Sequence, residues 1–187
     1  MIIIAGLGNP EAEYGATRHN AGFLAIDRLY AAATTTSPWK RKKLYEQATV
    51  AIEGVEVLLV KPLSFMNSSG HPVADVVHQH ELPLSQLWLV YDDVTVDLGS
   101  FRIRPVGASS GGHNGVTSVI QQLGSGEFGR VRIGIGPAPE NSDLAKYVLR
   151  RFKVSERERL AAVLDVLTDY MVASIRYEKL KEETIHV

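Results

Sequence analysis

Cysteine is absent from the 187 residues of this chain. That absence excludes disulfide frameworks, thiolate zinc sites and cysteine nucleophiles. Long apolar runs are also missing, since none reaches the ~18 residues that a membrane span requires. Met1 leads directly into an apolar run, without the basic region or cleavage site of a secretory signal. We therefore expect a soluble protein of the cytoplasm, and the apolar share of 45% suits one domain with a real core.

An excess of charge of either sign is missing too, because the net charge is −1. A nucleic-acid partner would have to be bound by a local patch, since affinity for phosphates comes from counterion release at nearby Lys and Arg side chains. Where two such residues alternate along a strand, both side chains lie on one face. The local basic groups are Lys40–Lys43, Arg102/Arg104, Arg130/Arg132 and Arg150/Arg151/Lys153. The first group is equally compatible with a solvated loop that binds nothing.

Several cofactor-binding patterns are incomplete. Gly6 and Gly8 follow an apolar run, but Glu11 stands where the dinucleotide fingerprint G-x-G-x-x-G needs its third glycine. No P-loop is present in the sequence. His78 and His80 lie two residues apart on a predicted helix, so their rings point in different directions and do not form a metal pair.

Apolar runs typical of buried strands alternate with segments of helical spacing. This alternation predicts an α/β fold, with one domain over residues 1–187, a twisted and mostly parallel mixed sheet, and helices on both faces. The predicted strands are Met1–Ala5, Glu46–Ile52, Val55–Val60, Leu87–Tyr91, Gly99–Arg104 and Val131–Ile135, the second and third forming a hairpin. The predicted helices are Ala21–Ala33 with Asn20 as N-cap, one from near Ser69 to His80, Val116–Leu123, one capped by Ser142 or Asp143, and a long one opened by a capping box at Ser155.

His19, at the start of the first predicted helix, is the main candidate for chemistry, because histidine exchanges a proton near neutral pH. In α/β sheets, ligands bind beyond the carboxyl ends of the strands, and Asp92 follows a predicted strand there. A carboxylate on one ring nitrogen fixes the tautomer and leaves the other nitrogen free to accept a proton. We expect Asp92 to be that partner. Taken singly, His19 could instead satisfy a helix terminus, and Asp92 could be a turn residue.

Three asparagines, Asn9, Asn67 and Asn114, lie among short flanking residues in predicted turns. An amide donates and accepts hydrogen bonds but does not titrate, so it suits the binding of an ester or the stabilisation of an oxyanion. Each could equally be a backbone cap. The backbone amides of Gly111–Gly115 open a helix and could face an anion, whereas His113 is interpreted as structural.

A hydrolase nucleophile elbow, G-x-S-x-G, is matched by Gly107-Ala108-Ser109-Ser110-Gly111. The elbow requires a tight strand-to-helix turn. Pro105 interrupts the strand early and the glycines up to Gly115 delay the helix, so a nucleophilic Ser109 is disfavoured. A serine esterase remains a rival that a serine-directed covalent inhibitor would test.

Taken together, the motifs resemble the bacterial-type peptidyl-tRNA hydrolase family, over most of the chain. The resemblance rests on Gly6–Pro10, Tyr14, Thr17–Phe23, Lys61–Gly70, Asp92-Asp93, Ser110–Gly115 and Arg130–Gly136. It implies a monomeric α/β enzyme that hydrolyses the ester between tRNA and a peptide or an N-blocked amino acid, without metal or cofactor.

The resemblance also implies roles for individual residues. His19 would accept the proton, Asp92 would stabilise its basic form, and Asn9 would discriminate blocked from free aminoacyl-tRNA. The residues expected to contact the 3′ end and the peptide are Tyr14, Phe65, Asn67 and Asn114, and those expected to contact tRNA phosphates are Arg104 and Arg132.

Two departures from the family pattern affect these expectations. Glu11 stands where a glycine is usual after Asn-Pro. The segment 137–143 carries Glu140 and Asp143 where a lysine for the tRNA is expected. The phosphate contact could therefore be weaker, or relocated to Lys146, Arg150 or Arg151. A second rival is an RNA-binding module of the same fold without activity, which the intact set of His19, Asp92 and three asparagines disfavours.

Overall fold

The computed structural model of the protein describes residues 1–107 and 109–187. Its strands are β1 Ile2–Gly6, β2 Thr35–Thr36, β3 Lys40–Arg41, β4 Tyr45–Ile52, β5 Val55–Pro62, β6 Leu87–Asp97, β7 Ser100–Arg104, β8 Gly129–Gly136 and β9 Glu183–His186. Its α-helices are α1 Ala21–Ala32, α2 Gly70–His80, α3 Asn114–Leu123, α4 Leu144–Val148 and α5 Val154–Arg176.

The strands form one sheet in the order β2-β4-β5-β1-β6-β8-β7-β9, with β3 paired to β4. β5, β1, β6 and β8 run parallel at its centre. Antiparallel strands flank this centre, β4 on one side and β7 on the other. The predicted α/β fold with a mixed sheet is thereby confirmed.

Helices cover both faces of the sheet and divide the core into two layers. α1 and α5 pack on the face that carries Ile2, Ile4 and Trp88. α2 and α3 pack on the opposite face, against Ile3, Ala5 and Leu89. Because both faces are covered, the central strands are apolar without alternation, as the buried run of β1 illustrates. In the described ranges, no helix is both long and apolar enough to span a membrane.

Several boundaries differ from the sequence-based predictions. β6 continues to Asp97, so Asp92 lies within the strand and not at its end. Between Asp93 and Asp97 its pairing with β8 is interrupted by an irregularity, which ends the regular ladder just beyond Asp92. Within β8, Gly134 allows a close approach of the backbone of β6, because a Cβ there would lie 2.0 Å from the carbonyl oxygen of Asp97.

The predicted helix starts also need correction. α5 begins at Val154 with Lys153 as N-cap, and the Glu156 carboxylate accepts the Lys153 N–H at 2.7 Å, so the capping box lies two residues earlier than predicted. Asn20 is the N-cap of α1, but its side chain makes no capping hydrogen bond there. The short strands β2, β3 and β9 were not predicted, since β2 and β3 span only two residues each and β9 depends on its pairing with β7.

A close approach of α1 to the sheet positions the turn that precedes it. A Cβ on Gly22 would meet the carbonyl oxygens of Val90 and Leu7 at 2.4 and 2.5 Å, so only glycine allows this separation. The 3₁₀ turn Arg18–Asn20, which carries His19, is consequently held beside β6.

Arg18 fixes the other side of this turn. Its guanidinium is buried, and donates to both carboxylate oxygens of Glu156 at 2.9 and 2.7 Å and to the carbonyls of Arg150 and Arg151 at 3.2 and 3.1 Å. It also lies 4.5 Å from the centre of the Tyr147 ring. The turn is thus connected to the start of α5 by a charge-assisted network.

We expect Glu156→Gln to lower the free energy of unfolding by about 1–3 kcal/mol, because the buried Arg18 guanidinium loses its counter-charge. Chemical denaturation measures this change. Glu158→Gln is the matched control, because Glu158 lies two residues further along α5 and its side chain is exposed. Equal stability of the two variants would contradict a stabilising role for the Arg18–Glu156 pair.

Candidate active site

The carboxyl ends of the parallel strands meet at one edge of the sheet, which we call the carboxyl rim. β1 ends there at Gly6 and β5 at Pro62. Gly6 pairs with Val90, so Asp92 lies two residues beyond the end of β1. Along β6, Asp92 lies two and four residues after Val90 and Trp88, so its side chain is on the same face of the sheet as theirs. That face packs against α1. The sheet therefore directs a carboxylate toward the start of α1.

His19 and Asp92, 73 residues apart in sequence, are in direct contact at this rim. Nδ1 of His19 lies 2.8 and 3.0 Å from the two carboxylate oxygens of Asp92. A carboxylate only accepts hydrogen bonds, so Nδ1 carries the proton. Nε2 of His19 is then left with a lone pair, as a general base requires.

A second imidazole contacts the same carboxylate. Nε2 of His113 lies 3.1 Å from Oδ1 of Asp92, and its Nδ1 accepts the N–H of Val116 at 3.3 Å as the N-cap of α3. His113 therefore carries its proton on Nε2, whereas His19 carries its proton on Nδ1. His113 thus contacts both the carboxylate partner of His19 and the start of α3, and the centre of its ring lies 5.0 Å from the centre of the His19 ring.

Asp92 is almost completely buried, with 1% of its surface exposed. Burial raises the pKa of Asp92, but the hydrogen bonds of the two imidazoles, together with their positive charge when they are protonated, outweigh this effect and hold that pKa well below its usual value. The lowered pKa favours the ionised carboxylate, which can accept a hydrogen bond from each ring and orient both.

Asn9 is fixed by both its backbone and its side chain. Its N–H donates to Oδ1 of Asn20 and its carbonyl accepts from Nδ2 of Asn20, each at 2.9 Å. Its own Oδ1 accepts the Met66 N–H at 2.9 Å. These contacts orient the amide so that its NH₂ group is left as a donor, and they explain why the Asn20 side chain does not cap α1.

The other predicted substrate residues lie around this centre. Asn114 is exposed at the start of α3, and lines a cleft of about 210 Å³ together with His19 and Asp92. One wall of this cleft is apolar and comes from Leu144, Ala145 and Val148.

Phe65 and Asn67 are exposed on either side of Met66, and so adjoin Asn9. Tyr14 is half-buried in the 3₁₀ turn Ala12–Tyr14, and its carbonyl accepts from Thr17. In the part of the chain that the structure describes, no hydrogen bond joins these side chains to His19 or Asp92.

The predicted phosphate-binding arginines already have carboxylate partners. Arg132 is paired with Asp93, and Arg104 lies 3.3 Å from Glu182. Both line a cleft of about 270 Å³ with Arg130. Of the alternative cations, Lys146 is 3.5 Å from Asp143, whereas Arg150 and Arg151 are exposed beside the Arg18 network.

Ser109, the serine of the predicted elbow, has a different environment. Its carbonyl accepts a hydrogen bond from the buried guanidinium of Arg130, which also donates to Gly107 and Gly126 at 2.7 and 3.2 Å. Ser109 lines the cleft that contains Arg104, Arg130 and Arg132, and it does not line the cleft that contains His19. The elbow includes Ala108, which lies outside the described residues. The sequence did not predict that Arg130 binds this segment, because its partners are backbone carbonyl groups, which every residue has and which leave no pattern in the sequence.

His19, Asp92 and His113 have potential metal-ligand atoms within 4.8 Å of one another. Nε2 of His113 would have to lose its proton to bind a metal, but Nδ1 already accepts the Val116 N–H. A neutral imidazole has one N–H and cannot supply both lone pairs, so coordination would break the cap of α3. The three side chains are better suited to fixing the protonated nitrogen of each imidazole than to binding a metal.

Comparison with known proteins identifies the family of this chain. The family model described as Peptidyl-tRNA hydrolase matches residues 3–186. The peptidyl-tRNA hydrolase of Caldanaerobacter subterraneus subsp. tengcongensis is 46% identical over 176 residues, covering 89% of this chain and 93% of that protein. The one from Lachnospira eligens is 41% identical over 180 residues, covering 90% and 94%.

A solved structure is similar as well. The crystal structure of peptidyl-tRNA hydrolase from Acinetobacter baumannii superposes with a TM-score of 0.87 at 27% identity, covering 95% of this chain and 89% of that one. With a family match over nearly the whole chain and relatives of similar length, this chain belongs to the peptidyl-tRNA hydrolase family.

Proposed function

We propose that this chain hydrolyses the ester bond between tRNA and a peptide or N-blocked amino acid, with His19 as the general base, and thereby recycles the tRNA. Family membership supports the activity. The observation that carries the assignment of the base is the contact of His19 Nδ1 with the buried, ionised Asp92, which leaves Nε2 able to accept a proton.

In this proposal, Nε2 of His19 removes a proton from a water molecule as the water oxygen attacks the ester carbonyl carbon. The carbonyl electrons move to its oxygen and form a tetrahedral intermediate. When the intermediate collapses, the bond to the ribose oxygen breaks, and the imidazolium returns its proton to that oxygen. Asp92 stabilises the imidazolium between these two steps. A positioned general base contributes about 10²–10⁴-fold to the rate.

Asn9 is the amide whose orientation best suits the stabilisation of the oxyanion. Its Oδ1 is engaged by Met66, so its NH₂ group is directed away as a donor. Asn67 and Asn114 are exposed and are left to contact the 3′ end and the peptide, together with Phe65 and Tyr14.

The proposal requires no metal or cofactor, because an ester to a ribose hydroxyl is a reactive bond. We also propose that the protein acts as a monomer in the cytoplasm. All proposed catalytic side chains come from one chain, and charged tRNA is used in translation there.

We expect His19→Ala to lower kcat on an N-blocked aminoacyl-tRNA by about 10²–10⁴-fold, since among residues 1–107 and 109–187 the other imidazole bonded to Asp92, His113, has its second nitrogen engaged by Val116. Turnover and circular dichroism together separate lost chemistry from lost fold. His78→Ala, on the exposed face of α2, is the control and keeps full activity. Near-normal turnover of His19→Ala would remove His19 from this role, and no turnover by the unmodified protein would favour an RNA-binding module.

We expect Asp92→Asn to lower kcat by about 10–10³-fold, less than His19→Ala, because the water-activating ring remains but loses its orientation. The acid limb of the kcat–pH profile should move to lower pH, since no carboxylate stabilises the imidazolium.

The profile is best recorded above about pH 5. Folding lowers the pKa of Asp92, so its contribution to stability is present above its unfolded pKa near 4 and is lost only as the pH falls below that value. An acid limb in the same position for both proteins would contradict the coupling of Asp92 to the base.

We expect Arg132→Ala to raise KM several-fold with little change in kcat, because a phosphate contact is lost and Asp93 is left unpaired. The slope of log affinity against log salt concentration should decrease by about 1. Arg28→Ala is the control, since Arg28 pairs with Asp165 on the α1–α5 side of the molecule. An unchanged salt slope would exclude a phosphate contact at Arg132.

A further inference from the structure

Four consecutive cations, Lys40 to Lys43, form β3 and the start of the turn that leads into β4, and we call them the basic turn. All four side chains are exposed. In β3, Lys40 and Arg41 pair with Gln47 and Glu46 of β4. The Lys42 N–H donates to the Tyr45 carbonyl at 2.8 Å, so the turn is tight and its lysines are held on an ordered backbone.

The basic turn lies on the carboxyl rim. Tyr45, the first residue of β4, pairs with Pro62, the last residue of β5. The Leu63 N–H donates to the Leu44 carbonyl at 2.8 Å, which joins the basic turn to the segment that carries Phe65. Through Met66, that segment is bonded to Asn9. A short path of hydrogen bonds therefore links the basic turn to the proposed catalytic centre.

The charges of the basic turn are largely uncompensated. Arg41 has a partly exposed partner, Glu46, at 3.1 Å. Among the described residues, no carboxylate lies within salt-bridge distance of Lys40, Lys42 or Lys43. The arginines expected to bind phosphates differ in this respect, because Arg104 and Arg132 are paired with Glu182 and Asp93. A phosphate can bind the lysines without displacing a carboxylate.

The basic turn and Arg132 lie on opposite sides of Asp92. The strand order from the turn to Arg132 is β4-β5-β1-β6-β8, which is four strand intervals or roughly 19 Å. Asp92 lies on β6 between them. An RNA that reaches the centre from above the rim can therefore meet cations on both sides.

We propose that the basic turn binds phosphates of the RNA part of the substrate, on the β4 side of the site and opposite Arg132. This proposal rests on the proposed function. It gives the tRNA a phosphate contact in a chain whose segment 137–143 is acidic at Glu140 and Asp143. Such contacts act through counterion release, so their contribution depends steeply on salt.

The test compares Lys42→Gln/Lys43→Gln with Arg176→Gln/Lys179→Gln, a control that removes the same number of cations. Arg176 lies 3.9 Å from Glu53, at the β4–β5 turn and thus at the opposite edge of the sheet. KM is measured for an N-blocked aminoacyl-tRNA over a series of salt concentrations. It is also measured for a minimal ester that carries only the terminal nucleoside and no phosphate.

For the basic-turn variant we expect a several-fold higher KM on the full tRNA, a salt slope reduced by about 1–2, and a KM on the minimal ester like that of the parent. The control should match the parent in all three. Equal KM and equal salt slope in the two variants would overturn the proposal, as would equal losses on both substrates. Absence of turnover by the parent protein would instead contradict the proposed function.

Discussion

The structure of this site depends on one buried carboxylate that accepts hydrogen bonds from two imidazoles. Asp92 has almost no exposed surface, and burial alone would favour its protonated form. His19 and His113 supply enough positive potential and hydrogen bonding to keep it ionised. The ionised carboxylate in turn fixes which nitrogen of each ring is protonated. The ionisation of the carboxylate and the protonated nitrogen of each imidazole therefore depend on one another.

The surrounding fold brings these groups together from distant parts of the chain. Gly22 lets α1 approach β1 and β6 so closely that the turn before it reaches Asp92. Arg18, on one side of His19, is bound to Glu156 at the start of α5, and Asn20, on the other side, is bound to Asn9. The position of the proposed base is thus determined by its two neighbours in sequence, both of which are buried.

Much of this arrangement could be predicted from the sequence, because its signals are local. Apolar runs and their spacing identified the central strands and the helices, and the carboxyl-end rule identified Asp92 as a candidate partner of His19. The role of His113 could not be predicted, since a histidine after glycines indicates a turn whether or not a carboxylate lies nearby. The end of β6 was misjudged because Asp92 and Asp93 look like turn residues, whereas in the fold one contacts histidines and the other Arg132. Long-range ion pairs of this kind leave no periodic pattern.

The tautomers of the two histidines test the central claim most directly. Long-range ¹H–¹⁵N correlation spectra would be recorded at about pH 8.5, where an ordinary histidine is neutral. The account predicts a proton on Nδ1 of His19 and a proton on Nε2 of His113. A proton on Nε2 of His19 would contradict it, because the nitrogen assigned to accept the proton from water would then have no lone pair.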